Sequence, residues 1–320
     1  MKNTAWIEKL SILLLAVLID RALGEPPAGI HPVIAIGKMI AALERKAPWT
    51  AKRGALVYGG WLSAVTVAAT WSVSVVTDHW IGRLPVLPRV LVRATLLKPT
   101  FAARALFAAV EQVRLPLERG ELDQARTALQ SLVSRETGAL DTSLVAAAAI
   151  ESLAENTSDS IVAPLLAYLV GGVAGAYMYR AANTLDAMIG YRGRYEYLGK
   201  CAAGLDDLLN LIPARLTAVL LILGAALNGS DARHAIVTAW RDHAKTASPN
   251  AGWPMSVMAG ALGVQLEKVG QYRLGNGFRP PCPEDIQRAE RMVNAAVGIA
   301  LLALTGGTLA ATILRRRTDE

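Results

Sequence analysis

Long apolar runs separated by short polar segments dominate this chain. Runs at 54–76, 161–179, 211–227 and 293–314 approach or exceed the length of a membrane helix, which needs about 20 predominantly apolar residues. The N-terminal segment "WIEKLSILLLAVLIDRALG" has no small-residue cleavage site after its apolar core, so we expect a retained first helix rather than a signal peptide. The run at 253–264 is too short to span alone, which favours a re-entrant segment. Because alternating strand patterns and repeats are absent, the pattern predicts an all-α protein.

Two polar segments set the expected topology. The loop at 38–53 holds five Lys or Arg residues against a single Glu44, which is typical of a cytoplasmic loop. In "LDQARTALQSLV" the apolar residues recur at helical spacing with charges on the other face, as in a water-facing helix. We therefore predict a polytopic membrane helical protein, one domain over 1–320, with a cytoplasmic amphipathic helical insert at 98–142. The number of spans after Pro164 stays open, and the C-terminal "RRR" favours the cytoplasm.

Composition supports the membrane class. The 320 residues are 53% hydrophobic and 18% charged, with a mean hydropathy of +0.33, whereas soluble chains usually carry more charge. The net charge of +7 is spread in short clusters beside apolar runs, which favours positive-inside anchoring over nucleic-acid binding. Cys201 and Cys282 are far apart and form no CxxC, which argues against a disulfide framework or a thiolate zinc site.

Acidic and amide residues border the apolar runs in three places. In "IESLAENTSDSIVAPLLAYLVGG", Glu151, Glu155 and Asp159 fall at i, i+4 and i+8, so a helix would present them as one stripe beside Asn156. Such groups at membrane-helix edges usually face a partner or a water-filled cavity, although a solvated face is the simpler alternative. Oxygen ligands of this kind suit Mg²⁺ holding phosphates, and nearby bases suit the phosphates themselves. The other two clusters contain Arg180, Asn183 and Asp186, and then Asp206, Asp207, Asn210 and Arg215.

Two proline segments add further candidates. "LGEPPAGIHPV" places His31 near Asp20, either as part of a site or simply as a rigid turn that ends a helix. "TASPNAGWP" predicts a helix start at which Ser248 or Asn250 caps the helix, or at which backbone N–H groups receive an anion. "GRYEYLGKC" has the wrong spacing for a P-loop, and no GxSxG, HExxH or GxGxxG is present.

Several segments together resemble one family. "LIDRALGEPPAGIHPV", "VSRET", "AENTSDSIVAP", "NTLDAMIGY", "LDDLLNLIPARL", "SPNAGWP" and "YRLG" occur in the order found in the adenosylcobinamide-phosphate synthases of cobalamin biosynthesis. The resemblance covers about residues 17 to 275. It implies a multi-pass inner-membrane ligase with a cytoplasmic active site, which uses ATP and Mg²⁺ to join adenosylcobyric acid to an aminopropanol phosphate. It also implies contact with the bilayer and with later corrinoid-assembly enzymes.

Combined with the clusters above, the resemblance defines a set of candidate residues. The catalytic candidates are Glu151, Glu155, Asn156, Asp159 and Asp186, and the metal candidates are Glu155, Asp159 and Asp207. The candidates for substrate or phosphate binding are Asp20, His31, Arg135, Arg180, Asn183, Tyr195, Lys200, Asp206, Asp207, Asn210, Arg215, Ser248 and Asn250.

The chain departs from the family pattern at three positions. Glu25 and Glu136 replace the usual Asp and keep its charge, whereas Gly204 stands where an Arg is common. The phosphate contact expected at that position would then be absent or supplied by Lys200. Two other classes stay open: a Mg²⁺-dependent membrane prenyl- or alcohol-phosphotransferase, which usually has a denser acidic signature, and a transporter, for which no inverted repeat is visible.

Overall fold

The structure, a computed structural model, describes the backbone of residues 2–49 and 51–318 and the side chains of residues 6–49 and 51–304. Within this part the chain is mostly helical, as the apolar periodicity predicts. The helices are α1 (Lys2–Leu23), α2 (Pro32–Glu44), α3 (Lys52–Ile81), α4 (Val86–Leu97), α5 (Ala103–Glu118), α6 (Leu122–Leu129), α7 (Thr142–Thr157), α8 (Ala163–Ile189), α9 (Lys200–Leu227), α10 (Ala232–Asp242), α11 (Gly252–Leu262) and α12 (Pro283–Thr318). A π-helical turn, Ser158–Val162, joins α7 to α8.

The chain folds into two compact units. The first comprises Met1–Ala102 and Ala163–Asn210, and the second comprises Ala103–Val162 and Leu211–Glu320. The predicted insert at 98–142 begins within the first unit, because the short 3₁₀ turn Lys98–Thr100 is buried there. Its helices α5 and α6 belong to the second unit and bury one face each, as their amphipathic pattern predicts.

In the first unit, α1 packs against α4, and α2 and α3 both pack against α8. The backbone at Leu198 approaches α3 closely at Gly59. A side chain at position 59 would collide with the carbonyl of Leu198, so this contact requires glycine. Helix α8 is interrupted at Gly172, whose φ of 65° is left-handed. Near this break the ammonium of Lys9 donates a 2.9 Å hydrogen bond to the carbonyl of Leu169. A charged side chain thus satisfies a carbonyl that lies close to the helix break.

In the second unit, α7 is the central helix and contacts α5, α11 and α12. Its residues from Val145 to Ile150 are all buried, and most are alanine, which lets neighbouring helices approach closely. Helix α11, which covers the short apolar run at 253–264, packs against α10 and is buried along nearly its whole length. Burial within this unit therefore accounts for its apolar composition without a re-entrant path through a bilayer.

The prediction that the protein is all-α is wrong in one segment. The second unit contains a two-stranded antiparallel hairpin, Leu266–Lys268 (β1) and Tyr272–Leu274 (β2). Leu266 pairs with Leu274 in register and both are fully buried. Gly270 provides the positive φ of 74° in the connecting turn. Strands of three residues are too short to show an alternating pattern in the sequence, so periodicity did not reveal them.

Three helical stretches are long and apolar enough to cross a membrane by length and composition: Lys52–Ile81, Thr142–Ile189 and Lys200–Leu227. They include three of the predicted runs. Helices α1 and α12 form where the sequence predicts helices but are not among these three, as judged on the described residues. Many apolar side chains of α3 face outward, among them Val57, Val73 and Trp80, which suits a lipid-facing helix.

Candidate functional site

The acidic stripe begins on α7 with a buried glutamate. The side chain of Glu151 is 6% exposed, and its Oε2 accepts a 3.1 Å hydrogen bond from Nη2 of Arg135. Its other oxygen, Oε1, is buried and accepts no hydrogen bond of normal geometry within the described part of the chain. A buried carboxylate with one paired oxygen retains an unsatisfied acceptor, which costs free energy unless another group contacts it. The structure therefore places the predicted residues Glu151 and Arg135 in direct contact.

A ladder of hydrogen bonds runs beside the stripe. Asn156 Nδ2 donates to the carbonyl and to the hydroxyl of Ser152, at 3.0 and 3.2 Å. The hydroxyl of Ser160 donates to Asn156 Oδ1 at 3.2 Å, and that of Ser152 donates to the carbonyl of Leu132. Both ends of the Asn156 amide are thus engaged within the protein. This geometry suits a positioning role better than the catalytic role that the sequence suggests.

Glu155 and Asp159 occupy the two sides of the change from α-helix to π-helix. Glu155 lies in the last turn of α7, Asp159 lies in the π turn, and both are half-buried. A π turn contains more than 3.6 residues, so it shifts Asp159 from the even i, i+4, i+8 stripe that a regular helix would form. Such turns occur frequently at functional sites.

Tyr272 on β2 lies in the electrostatic neighbourhood of this stripe. Burial raises the pKa of its phenol well above the ordinary value, and the negative charges of Glu151 and Glu155 raise it further. The hydroxyl therefore stays protonated near neutral pH, and it donates a long, 3.9 Å hydrogen bond to Sδ of Met255, which is a weak acceptor. The sequence analysis did not identify Tyr272, because it lies far along the chain from the two acids.

The predicted cap at the SPN segment is not where we expected it. Helix α11 begins at Gly252, its N-cap residue is Ala251, and no side chain caps that position. Instead the hydroxyl of Ser248 accepts hydrogen bonds from the backbone N–H groups of Asn250 and Ala251, at 3.2 and 3.4 Å. Two N–H groups that could have received an anion therefore already have an internal acceptor.

Asn250 has a different role in this segment. It is buried, and its Oδ1 accepts a 3.2 Å hydrogen bond from Nη1 of Arg215. The guanidinium carbon of Arg215 also lies 5.3 Å from the ring centre of Trp253. The structure therefore brings together Arg215, Ser248 and Asn250, and the guanidinium is a better candidate for anion binding than the turn's N–H groups.

In the first unit, α8 and α9 share a buried polar network. Arg180 Nη1 donates to Asn183 Oδ1 at 3.1 Å, and Asn183 Nδ2 donates to Asp206 Oδ1 at 3.3 Å. Asn210 Nδ2 donates to the other oxygen of Asp206 at 2.9 Å. The hydroxyl of Tyr179, which the sequence analysis missed, donates to Asn210 Oδ1 at 2.9 Å. Four predicted residues are thus brought together as one network.

A second first-unit cluster surrounds Lys98, another residue that the sequence analysis missed. Its buried ammonium lies 3.1 Å from Asp20 Oδ1 and 2.6 Å from Glu25 Oε1. His31 caps α2, because its Nδ1 accepts from the N–H of Val33, while its Nε2 lies 3.0 Å from Glu25 Oε2. The predicted pair of Asp20 and His31 is therefore joined through Lys98 and Glu25. This arrangement fits the structural alternative, a turn fixed by ion pairs, at least as well as a ligand site.

The remaining candidates lie on α8 and α9 or in the segment between these helices. The hydroxyl of Tyr195 donates a 2.7 Å hydrogen bond to Glu44 Oε1, and this contact raises the pKa of Tyr195. Lys200 is exposed at the start of α9, and Asp207 and Asp186 are half-buried. Within the described residues there is no group of three or more His, Cys, Asp or Glu side chains arranged to hold a metal ion.

The lack of such a group among the described residues bears on the predicted Mg²⁺ ligands. Glu155 and Asp159 belong to the second unit and Asp207 to the first. Mg²⁺ usually keeps several waters and is bound by one or two carboxylates together with substrate phosphates, so a protein-only cage is not required. Glu155 and Asp159, both half-buried carboxylates beside a π turn, match that donor chemistry.

A mostly apolar cavity in the first unit is lined by none of the predicted residues. It has a volume of about 380 Å³ and is lined by residues of α2, α3, α4 and α8, of which the polar ones are Thr70, Ser74, Thr77, Asp78 and Tyr177. Tyr177 donates its hydroxyl to the carbonyl of Leu96. The cavity therefore offers little polar chemistry of the kind that the candidate residues require.

Comparison with known proteins gives a consistent result. A family model described as CobD/Cbib protein matches residues 13–300. The chain is 42% identical over 300 residues to cobalamin biosynthesis protein CobD of Dehalococcoides mccartyi, an alignment that covers 94% of this chain and 97% of that protein. It is 39% identical over 270 residues to the probable cobalamin biosynthesis protein CobD of Methanocaldococcus jannaschii, covering 83% and 88% of the two chains. It is 35% identical over 309 residues to CobD of Klebsiella pneumoniae, covering 91% and 95%. No solved structure matches the chain.

Proposed function

The chain belongs to the CobD/Cbib family of cobalamin biosynthesis proteins, and from that premise we propose that it is an ATP- and Mg²⁺-dependent ligase. It joins the carboxyl group of adenosylcobyric acid to the amine of an aminopropanol phosphate or a related amino-alcohol phosphate. The product is the amide adenosylcobinamide phosphate.

The chemistry sets the requirements for the site. A carboxylate does not react with an amine at neutral pH, so the carboxylate first attacks the γ-phosphorus of ATP and displaces ADP. The amine nitrogen then attacks the carbonyl carbon of the resulting acyl phosphate, the carbon–oxygen bond breaks, and phosphate leaves while the amine loses a proton. The protein must therefore hold phosphates, offset their charge and receive that proton.

The observation that carries the proposal is the pair of half-buried carboxylates, Glu155 and Asp159, on either side of the π turn. Mg²⁺ bound there would neutralise phosphate charge and fix the phosphates for in-line attack. Arg135 pairs with Glu151 next to them and keeps that acid from competing for the metal. Arg215, held by Asn250, is the second unit's proposed contact for an anionic substrate group.

In the first unit, the α8–α9 network supports binding of the amino-alcohol phosphate. Arg180 is a guanidinium donor for a phosphate, and it is oriented by Asn183. Asp206 presents a carboxylate for the ammonium end, and Asp186 is the proposed proton acceptor. These assignments give the anionic and cationic ends of one small molecule separate, oppositely charged partners.

A direct test measures phosphate release by the purified protein with ATP, Mg²⁺ and both co-substrates. The proposal expects ADP and phosphate to form only when the corrinoid acid and the amino-alcohol phosphate are both present, together with one amide per ATP. A phosphotransferase would instead transfer a phosphate-linked group without consuming ATP, and a transporter would move corrinoid without forming amide. Either result would refute the ligase assignment.

The membrane orientation is part of the same proposal. We propose a multi-pass protein of the cell inner membrane, with the basic loop 38–53 and the insert 98–142 both on the cytoplasmic side. Single cysteines introduced into these two segments, in a background lacking Cys201 and Cys282, should react alike with an impermeant thiol reagent. Labelling of the two segments from opposite faces of the membrane would contradict both the topology and the cytoplasmic active site.

A further inference from the structure

His243, directly after the end of α10, has one ring nitrogen fixed and the other open. Its Nδ1 lies 2.9 Å from the carbonyl oxygen of Ala239. A carbonyl oxygen can only accept a hydrogen bond, so Nδ1 must carry the proton. In the neutral ring Nε2 therefore carries a lone pair, and this nitrogen has no hydrogen-bond partner within the described part of the chain.

Aromatic rings hold this imidazole in place. The ring of Trp253 stacks on it with centroids 4.0 Å apart and an interplanar angle of 26°. Trp240 meets the imidazole edge-on at 6.3 Å and meets Trp253 at 5.4 Å, and it is 69% exposed. An exposed indole beside an orientated imidazole forms an apolar surface next to a single nitrogen donor. No catalytic step proposed above uses these three side chains.

The same tautomer arrangement is typical of metal-binding histidines, in which one nitrogen donates to a carbonyl while the other binds the metal. A bare metal ion needs three or four protein ligands, and the described residues contain no such cluster here. A corrinoid is different, because its macrocycle already fills the four equatorial positions of cobalt. One axial nitrogen from the protein is then sufficient.

We propose that Nε2 of His243 coordinates the cobalt of the corrinoid substrate at its lower axial position, while the macrocycle rests against Trp240. This inference depends on the proposed function for the identity of the substrate. Coordination forms one cobalt–nitrogen bond and releases the water that held the axial position, with no change in oxidation state. The bond would orient the corrinoid and leave its upper ligand and its peripheral carboxyl group free.

Electron paramagnetic resonance tests this bond directly. Cobinamide reduced to Co(II) serves as the probe, because an axial nitrogen splits each cobalt line into a triplet. The wild-type protein in detergent should show that triplet, and protein labelled with ¹⁵N-histidine should show a doublet. His243→Gln should lose the splitting and bind the probe at least roughly tenfold more weakly, whereas His234→Gln should behave as the wild type. His234 is the matched control, because it lies on α10 and its Nδ1 also has a hydrogen-bond partner, Asp231.

Two further results would overturn the inference without affecting the proposed function. One is a wild-type complex that binds cobinamide, as measured by equilibrium dialysis, but shows no nitrogen splitting. The other is a triplet that persists in His243→Gln or is unchanged by ¹⁵N-histidine, since the nitrogen would then come from elsewhere. Failure of the wild-type protein to bind any corrinoid would refute both the inference and the proposed function. The isotope experiment uses unaltered protein, so it remains decisive even if His243→Gln folds poorly.

Discussion

Asp285, in the first turn of α12, should be a major stability determinant of the second unit. It is buried to 1% exposure, and both its oxygens accept hydrogen bonds from Arg279, at 2.7 and 2.8 Å. Arg288 donates at 2.9 Å, and the backbone N–H of Cys282 donates at 3.0 Å. The Asp285 carboxylate thus accepts hydrogen bonds from a bidentate arginine, from a second arginine and from a backbone N–H that precedes the helix.

The cost of removing this carboxylate follows from those contacts. Asp285→Ala loses the hydrogen bond to the Cys282 N–H, which is worth about 1 kcal/mol as a helix-end contact. Loss of the arginine pairs adds about 1–2 kcal/mol rather than the 3–5 kcal/mol typical of a fully buried pair, because Arg279 and Arg288 are 49% and 40% exposed and return to water. We expect a total near 2–3 kcal/mol, or about 5–10 °C in melting temperature for a unit of this size.

The effect should also depend on pH. Burial raises the pKa of Asp285, but the hydrogen bonds from Arg279 and from the Cys282 backbone outweigh it and leave the pKa below its ordinary value of 3.8. Because the folded pKa is the lower one, the stabilisation is complete above about pH 4 and is lost as the pH falls further. The difference in melting temperature between wild type and Asp285→Ala should therefore be constant from pH 7 to 5 and shrink towards pH 3.

Thermal unfolding in one detergent, followed by tryptophan fluorescence across this pH range, measures the difference. Asp123→Asn is the matched control, because Asp123 also pairs with an arginine but is 92% exposed, so its loss should cost less than about 0.5 kcal/mol. A difference for Asp285→Ala that stays constant down to pH 3 would refute the charge-based explanation. A difference no larger than that of the control would show that the ion pairs contribute little.

The other predictions concern activity. Glu155→Gln and Asp159→Asn should each lower kcat on the order of a thousandfold at saturating Mg²⁺ with little change in melting temperature; near-wild-type turnover in both would leave the stripe without a metal role. Asn250→Ala releases Arg215 and should lower kcat/KM roughly a hundredfold. Ser248→Ala removes the acceptor of two turn N–H groups, so it should cost about 1 kcal/mol of stability and leave kinetics intact. Steady-state phosphate release measures the kinetics of both variants. Equal losses of kcat/KM in Ser248→Ala and Asn250→Ala would contradict the assignment of a kinetic role to Asn250 and a stability role to Ser248.

Helical class and the main polar clusters were predictable because they depend on local periodicity. Apolar runs predict helices wherever they are long, and the acids of α7 fall on one face because of their spacing alone. The π turn was not predicted, because Pro164, two residues after its end, signals a missing backbone hydrogen bond but does not specify a π turn. It changes the direction of Asp159, which a regular helix would align with Glu151.

Partners that lie far apart in the sequence were the main omission. Lys98 pairs with Asp20 across nearly eighty residues, and Tyr272 approaches Glu151 from a hairpin more than a hundred residues away. Periodicity within a segment reports which face a residue occupies, but it does not report which residue it faces. A buried lysine also contradicts the rule that charged residues are exposed, so composition alone favoured a surface position for Lys98.

The groups that surround a buried carboxylate distinguish an acid that stabilises the fold from an acid that is a candidate for ligand binding. The charge of Asp285 is met by two guanidinium groups, so little of its field remains for a ligand. Asp206 is also buried, but its hydrogen-bond donors in the described part of the chain are the neutral amides of Asn183 and Asn210. Amide dipoles stabilise a carboxylate without cancelling its net charge, and the charge of Arg180 acts on Asp206 without a direct hydrogen bond between the two, so Asp206 can still pair with a cationic group. Where a buried acid is held by amides rather than by arginine, the arrangement keeps a negative charge available, and this is what binding of a substrate ammonium group requires.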